Sequence, residues 1–217
     1  MFTKILIANR GEIAVRIIRA CKEMGIATVA VYSQADADTL AVALADESIC
    51  IGAATPEDSY LNEQRILSAA LAVNAAAIHP GYGFLSERES FAELCEQNGI
   101  VFIGPSGAVM RALSDKAKSK EQMAAAGLPV IPGSMAVMNA EQAVAYAAEI
   151  GYPVMLKARS GGGGRGIRVI ASEEQMRQIY ETAAAESLAA FGDAALYVEK
   201  YVYPARHIEV QILADEE

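Results

Sequence analysis

The sequence lacks tryptophan and has few aromatic residues, 6% of its 217 positions, although hydrophobic residues make up 53%. A chain of this length buries a substantial core, in one or two globular domains. It also lacks a long apolar run, because its most apolar segment, residues 66–78, contains Ser68 and Asn74 and is too short to cross a bilayer. Arg10 and Glu12 interrupt the first apolar stretch earlier than a secretory signal allows. We therefore expect a cytoplasmic protein with no membrane partner.

The sequence has fewer basic than acidic residues, 18 Lys and Arg against 27 Asp and Glu, which gives a net charge of −9. An acidic surface repels nucleic-acid phosphates and anionic lipids, so we expect no nucleic-acid partner. An anionic ligand would have to be held by local lysines and arginines.

Cysteine is scarce and gives no metal-binding or redox spacing. Cys21, Cys50 and Cys95 are odd in number, far apart and set among apolar residues. This pattern is typical of reduced thiols in a cytosolic protein, and we expect all three to be buried.

Strand-like and helical segments alternate up to about residue 104. Residues 4–8 and 27–32 read as buried strands on either side of a helix with Ile13, Ile17 and Cys21 on one face. Further strands are predicted at 48–51, 75–79 and 101–103, with helices from 59 or 62 to 74 and from 89 to 97. This alternation predicts a doubly wound α/β domain with a parallel sheet.

Two polar loops follow strands of this sheet, at residues 9–12 and 79–87. Ligands in such folds collect at the carboxyl ends of the strands, so both loops are candidate site loops. His79 within them, taken alone, is more typical of a packed, hydrogen-bonded histidine than of a catalytic one, and Gly81 and Gly83 indicate only a sharp backbone turn.

The most informative stretch is residues 152–170, in which a short strand ends at Lys157, glycines fill most of 161–166, and a second strand follows. A dinucleotide fingerprint would need a helix at the loop, but Ile167 and Val169 favour a strand. A phosphate-binding P-loop is excluded because Ile167-Arg168 stands where Lys-Ser/Thr is required. The pattern predicts a hairpin flap over nucleotide phosphates, with a flexible surface loop as the alternative.

Helices packed on a small antiparallel sheet are predicted for the second half, giving an α+β unit. Helices are expected from 114 to 126, from 139 to 150 and from 172 to about 190, and a strand at 196–202. Lys116 and Lys120 share one face of the first helix, and we interpret this face as solvated. Residues 206–213 alternate strictly, with His207, Glu209 and Gln211 on one side, which predicts a further strand.

In this order and spacing, the motifs resemble the biotin carboxylases of the ATP-grasp superfamily. The resemblance rests on residues 7–13 (IANRGEI), 77–87 (AIHPGYGFLSE), 102–105 (FIGP), 115–116 (DK), 152–157 (YPVMLK), 161–166 (GGGGRG), 199–201 (EKY) and 206–209 (RHIE). It implies a Rossmann-like pre-ATP-grasp domain at 1–113, a linker helix and loop at 114–133, and an ATP-grasp lid at 134–203. Residues 204–217 would form the first strand of a C-terminal ATP-grasp domain that is otherwise largely missing.

The resemblance also implies site residues. Lys116 and Lys157 would contact ATP phosphates and Gly163-Gly164 would close over them. Residues on one strand would bind adenine, mainly through the backbone of Lys200 and Val202, with His207 nearby; these strand residues are Glu199, Lys200, Tyr201 and Val202. His79, Gly83 and Glu87 would border the active site, while no catalytic residue or metal ligand is assigned. The exposed face formed by Arg16, Arg19 and Glu23 resembles the family's homodimer contact.

The implied activity is that of a ligase, in which bicarbonate, activated by ATP as carboxyphosphate, carboxylates biotin on a carrier protein or domain. ATP, Mg²⁺, bicarbonate and biotin would take part, with carboxyltransferase subunits as partners, as in acetyl-CoA carboxylase of fatty acid biosynthesis or a related acyl-CoA or pyruvate carboxylase. The family's magnesium and bicarbonate residues follow beyond residue 217, so we expect this stretch alone to be an inactive fragment. The alternative is a nucleotide-binding module without catalysis. Arg159-Ser160 stands where relatives carry small residues, which affects only the loop's conformation.

Overall fold

The computed structural model describes residues 2–114, 116–159 and 166–214, with only the backbone described at 114 and 116–118. The chain divides into two compact units, Met1–Ser114 and Asp115–Glu217. No helix within the described residues is both long and apolar enough to cross a membrane.

The first unit is built around a parallel sheet with helices on both faces, as predicted. Its strands are β1 Lys4–Ile7, β2 Ala27–Ser33, β3 Glu47–Gly52, β4 Ala77–His79 and β5 Val101–Phe102, in the order β3-β2-β1-β4-β5. Its helices are α1 Gly11–Glu23, α2 Leu40–Leu44, α3 Glu63–Ala72, α4 Glu89–Gln97 and α5 Gly107–Ser114. The strand order reverses direction around β1 and β4, so their carboxyl ends open a crevice at this edge of the sheet.

Alternate residues of the central strands enter two separate cores. Leu6 and Ile78 pack with residues of α3 and α4, while Ile5 and Ile7 pack with the buried stripe of α1. Both faces of a parallel sheet must be covered, which explains why these strands are apolar at nearly every position.

Cys50 departs from the prediction that all three cysteines are buried. Cys21 and Cys95 are buried and free, whereas Cys50 is free but exposed. Cys50 lies on β3, an edge strand of the sheet. A local apolar context does not reveal an edge position, so its side chain was wrongly assigned to the core.

The second unit is α+β, again as predicted. It contains α6 Lys116–Ala125, α7 Ala140–Ile150, β6 Val154–Ala158, β7 Ile167–Ile170, α8 Glu173–Phe191 and β8 Leu196–Lys200. The three strands form an antiparallel sheet in the order β7-β6-β8. Asn139 and Ser172 are the N-caps of α7 and α8, and their side chains accept hydrogen bonds from backbone N–H groups of the first helical turns.

The outer edge of β8 is covered by an irregular segment, residues 132–137. Ser134 N–H donates to the Val198 carbonyl at 2.7 Å, and Lys200 N–H donates to the Pro132 carbonyl at 2.8 Å. Val137 N–H donates to the Leu196 carbonyl at 2.7 Å. Although β8 is an edge strand of the three-stranded sheet, much of its outer edge is hydrogen-bonded to this segment.

The predicted strand at 206–213 is absent from the described part of the chain. Residues 205–214 have no regular secondary structure and are exposed, with Ile208, Val210 and Ile212 each more than three-quarters exposed. A strand needs a neighbour for its backbone groups, and no described strand pairs with this segment. Alternation of polar and apolar residues indicates that a segment could form a strand, but it does not show that a neighbouring strand is present to pair with it.

Candidate functional site

The first candidate site lies where β1 and β4 end side by side. Their register pairs Ile7 with His79, so the loops after the two strands meet. The buried Asn9 side chain joins them, because its Nδ2 donates to the carbonyls of Pro80 and Tyr82, both at 2.7 Å. Two charge-free hydrogen bonds from one buried amide fix the 80–82 backbone.

Arg10, the next residue, lies in a compact polar and aromatic cluster. Its guanidinium is 5.4 Å from the Tyr60 ring and 5.7 Å from the Phe84 ring, and it pairs with Asp36 at 3.4 Å. Tyr60 and Phe84 stack with centroids 5.0 Å apart. The cluster ties the 79–87 loop to the rest of the unit through packing as well as through Asn9.

Asp36 is ionised at the centre of this cluster. It accepts hydrogen bonds from Ser33 Oγ at 2.6 Å and from Tyr60 Oη at 2.8 Å. Burial alone would raise the pKa of Asp36, but these two hydrogen bonds and the Arg10 charge hold the pKa below its usual value. Burial also raises the pKa of Tyr60 to about 12, so its hydroxyl stays protonated and donates.

The three residues expected to border the active site all lie in this loop. His79 is partly buried at the end of β4, where its Nδ1 accepts a hydrogen bond from Gly81 N–H at 3.1 Å. Burial lowers the pKa of His79, so the ring is neutral at pH 7. Gly83 has a positive φ of 68° and Glu87 is exposed on the turn before α4. These positions fit a hydrogen-bonded, structural His79 at the base of an accessible loop.

The second candidate site lies in the second unit, where two lysines meet one carboxylate. Glu199, on β8, is 6% exposed. One of its oxygens accepts from Lys120 Nζ at 2.6 Å, and the other accepts from Lys157 Nζ. The register of β6 and β8 places Lys157 opposite Tyr197, two positions from the Met155–Glu199 pair, so Lys157 and Glu199 lie on the same face of the sheet.

Glu199 is kept ionised by its two partners. Burial by itself would raise the pKa of Glu199, but the hydrogen bonds and charges of Lys120 and Lys157 hold the pKa below its usual value. Two ammonium groups against one carboxylate leave a net positive charge of about one in this cluster at pH 7. This local excess of positive charge, in an acidic chain, suits an anionic ligand.

The adenine-binding residues implied by the sequence lie at and after the end of β8. Lys200 N–H already donates to Pro132, and its Nζ donates to the Gly151 carbonyl at 2.7 Å. Tyr201 N–H donates to the Pro153 carbonyl at 3.3 Å. Val202 is exposed, and its N–H donates to none of the described residues, which leaves it available to a ligand. His207 is exposed, 3.8 Å from Glu209.

Three of the residues expected to contact the ATP phosphates have no described side-chain contacts. Gly163 and Gly164 lie outside the described residues, and at Lys116 only the backbone is described, in the first turn of α6. The structure instead brings in Lys120, which the sequence interpretation assigned to a solvated helix face. That interpretation is wrong for Lys120, because its side chain is only 26% exposed and pairs with Glu199.

No group of three or more His, Cys, Asp or Glu side chains that could hold a metal exists among the described residues. The described residues therefore supply no cluster of this kind for magnesium.

Comparison with known proteins agrees with this division of the chain. Residues 1–110 match the family model "Biotin carboxylase, N-terminal domain", and residues 115–217 match "Carbamoyl-phosphate synthase L chain, ATP binding domain". The biotin carboxylase of Nostoc sp. is 54% identical over 215 residues, which cover 99% of this chain and 48% of that protein.

Solved structures give the same result. The complex of Campylobacter jejuni biotin carboxylase with β,γ-ATP matches with a TM-score of 0.88 and 53% identity, over 93% of this chain and 46% of that one. The biotin carboxylase domain dimer of Hydrogenobacter thermophilus 2-oxoglutarate carboxylase, with MgADP, ADP and bicarbonate, matches with a TM-score of 0.86 and 54% identity. It is covered over 45% of its length, and 94% of this chain is aligned. The chain thus spans about half the length of these relatives, and over that span it belongs to the biotin carboxylase family.

Proposed function

We propose that the protein carboxylates biotin on a carrier protein or domain, with ATP and bicarbonate, and that this chain supplies the part that binds the nucleotide. The observation that carries the proposal is the convergence of Lys120 and Lys157 on Glu199, within the segment that matches an ATP-binding domain. Two of the similar structures are nucleotide complexes of biotin carboxylases, which supports the same assignment.

Lys157 is proposed to contact the phosphates, together with Lys116 and the amides of Gly163 and Gly164. Its ammonium lies on β6, directly before the glycine-rich segment. Val202 N–H and the Lys200 carbonyl are proposed to bind adenine, because the Lys200 N–H is already used by Pro132 while the Val202 N–H has no partner in the described chain. Glu199, Tyr201 and His207 complete the proposed site.

The domain assignment is part of the proposal. Residues 1–113 correspond to the pre-ATP-grasp domain, 114–133 to a linker and 134–203 to the lid. Residues 204–217 correspond to the start of a further ATP-grasp domain, which would supply the missing neighbour for 206–213. His79, Gly83 and Glu87 then border the active site, and magnesium is held by residues other than those described here. Bicarbonate is activated as carboxyphosphate, which needs ATP phosphates fixed in place by the lysines.

The test is an assay of the protein expressed from its complete coding sequence, in the cytoplasm of a bacterial host. We expect ADP release that requires bicarbonate and increases with free biotin, with labelled bicarbonate carbon recovered in carboxybiotin. Turnover of ATP that is independent of biotin would indicate another ligase of the ATP-grasp type.

The 217-residue chain assayed alone separates binding from turnover. We propose that it binds ATP without hydrolysing it, because the described residues contain no cluster of three or more His, Cys, Asp or Glu side chains that could hold a metal. Bicarbonate-stimulated phosphate release from this chain would contradict the proposal. Such a result would require a search for metal ligands among Glu87, Glu199, Glu209 and Asp215, each tested by itself.

Homodimer formation is proposed through the exposed side of α1. Arg16, Arg19 and Glu23 all lie on that side. One similar structure is described as a dimer, which supports the idea. Sedimentation of the wild type and of Arg19→Glu is the test, with a shift toward monomer expected for the variant.

The carboxyltransferase subunits that copurify with the protein would identify the carboxylase to which it belongs. The candidates are acetyl-CoA carboxylase or another acyl-CoA carboxylase, pyruvate carboxylase and 2-oxoglutarate carboxylase.

A further inference from the structure

Lys120 is the member of the lysine–glutamate cluster whose role the proposed function leaves open. It reaches Glu199 from α6, across the irregular segment that covers β8. Gly133 bridges to Glu199 in that segment, and a Cβ at Gly133 would lie 3.0 Å from Lys120 Nζ and 2.9 Å from the Val198 carbonyl. A side chain at position 133 would therefore crowd the β8 backbone as well as the Lys120 ammonium.

The two lysines divide the carboxylate between them. Lys120 Nζ bonds Oε1 and Lys157 Nζ bonds Oε2, so each oxygen of Glu199 has its own cation. The Glu199 side chain is 8% exposed, and the Lys157 side chain is 18% exposed. Water therefore cannot easily replace a lysine that leaves, and an unpaired carboxylate at this depth is unfavourable.

In this arrangement, Glu199 and a nucleotide phosphate compete for the Lys157 ammonium. Lys157 can bind a phosphate only if it gives up part or all of its contact with Glu199. With Lys120 present, the carboxylate keeps one charged hydrogen bond when Lys157 turns away. Without Lys120, the same movement would leave a buried carboxylate with no cation among the described residues.

Resting on the proposed function, we infer that Lys120 is a positioning residue for the nucleotide site: it retains Glu199, so that Lys157 exchanges this carboxylate for a nucleotide phosphate. Lys120 acts through Glu199 and does not itself touch the nucleotide. The ligand class is a polyphosphate nucleotide, since an uncharged ligand would gain nothing from the exchange.

The experiment is a double-mutant cycle of Lys120→Met and Glu199→Gln in the protein expressed from its complete coding sequence. For Lys120→Met we expect the Kd and KM for ATP to rise about tenfold, with kcat at saturating ATP within about twofold of the wild type. Lys120→Arg should restore most of the affinity. In the Glu199→Gln background, where no carboxylate competes for Lys157, Lys120→Met should change the Kd by less than about twofold.

Each outcome decides between specific alternatives. Equal tenfold losses with and without Glu199 would mean that Lys120 contacts the nucleotide directly, and would overturn the inference. An unchanged ATP affinity in Lys120→Met would also overturn it. If the wild type binds no ATP, the proposed function fails instead. Lys120→Gln replaces Lys120→Met if the latter does not fold. Lys4→Met removes a lysine of similar exposure, 25% against 26%, from an ion pair of the same length, 2.6 Å, and should leave the Kd unchanged.

Discussion

Gly81 lies directly against the Asn9 side chain, so that a Cβ on Gly81 would be 2.8 Å from Asn9 Nδ2. The amide cannot move aside without losing its bonds to the Pro80 and Tyr82 carbonyls. Gly83, two residues later, has nearly the same φ, 68° against 65°, but no contact within 4 Å of a Cβ built there is found among the described residues. Gly81 is therefore required both by its positive φ and by the lack of space for a Cβ, whereas Gly83 is required by its positive φ alone.

We predict that Gly81→Ala destabilises the protein more than Gly83→Ala does. A positive φ costs an alanine about 1–2 kcal/mol, and both variants bear this cost. Gly81→Ala also displaces Asn9 and breaks buried hydrogen bonds, which adds about 1–3 kcal/mol. Urea unfolding measures the difference in free energy of unfolding. Equal losses would show that the contact between Asn9 and residue 81 relaxes freely, and Gly25→Ala, with φ 70° and open space around its Cβ, is the control for the conformational cost.

The Asp36 cluster predicts how stability depends on pH. Burial opposes ionisation of Asp36, but the hydrogen bonds from Ser33 and Tyr60 together with the Arg10 guanidinium hold its pKa in the folded protein below the ordinary value of 3.8. Its contribution to the free energy of unfolding is therefore complete above about pH 5 and is lost as pH falls through 3.8 toward the lower folded pKa. We expect Asp36→Asn to flatten this acid limb of the stability curve. Asp38→Asn, at an exposed position, should leave the limb unchanged.

The exposure of Cys50, in contrast to the burial of Cys21 and Cys95, predicts which thiol reacts in the folded protein. Burial raises the pKa of Cys95 to about 12 and also raises the pKa of Cys21, whereas Cys50 is exposed. We expect one thiol to react rapidly with a colorimetric disulfide reagent at pH 8 and the other two to react only on unfolding. Cys50→Ser should remove the rapid phase. A rapid phase that persists in this variant would mean that a second cysteine becomes accessible in the native protein.

Much of the fold could be predicted because its signals are local. Each strand of the first unit is a short apolar run, and the alternation with helices such as α1 fixes a parallel sheet. The hairpin of β6 and β7 could be predicted because β-favouring residues follow the glycines where a nucleotide-binding helix would begin. These features need only a few neighbouring positions to be recognised.

The errors have a common physical origin in contacts that are distant along the chain. Lys120 and Glu199 are 79 residues apart, so nothing near Lys120 distinguishes it from a lysine on a solvated face. Cys50 lies in an apolar context, yet its exposure depends on β3 being an edge strand. The alternation at 206–213 indicates two faces but not the partner that a strand requires.

The last prediction concerns how the nucleotide is held. If Lys157 binds phosphate, Lys157→Met should weaken ATP and ADP binding strongly and AMP binding only slightly, because its charge acts on the terminal phosphates. A lysine–phosphate pair about 4 Å apart is worth on the order of 4 kcal/mol at an effective dielectric near 20, before desolvation and the loss of the Glu199 pair reduce it. We therefore expect the Kd of ATP to rise between about tenfold and a hundredfold, measured by calorimetry in the protein expressed from its complete coding sequence. Lys22→Met, an exposed lysine on α1, should leave all three affinities unchanged. Equal losses for ATP, ADP and AMP would instead place Lys157 against the adenosine part of the nucleotide, and would move the proposed phosphate site away from the end of β6.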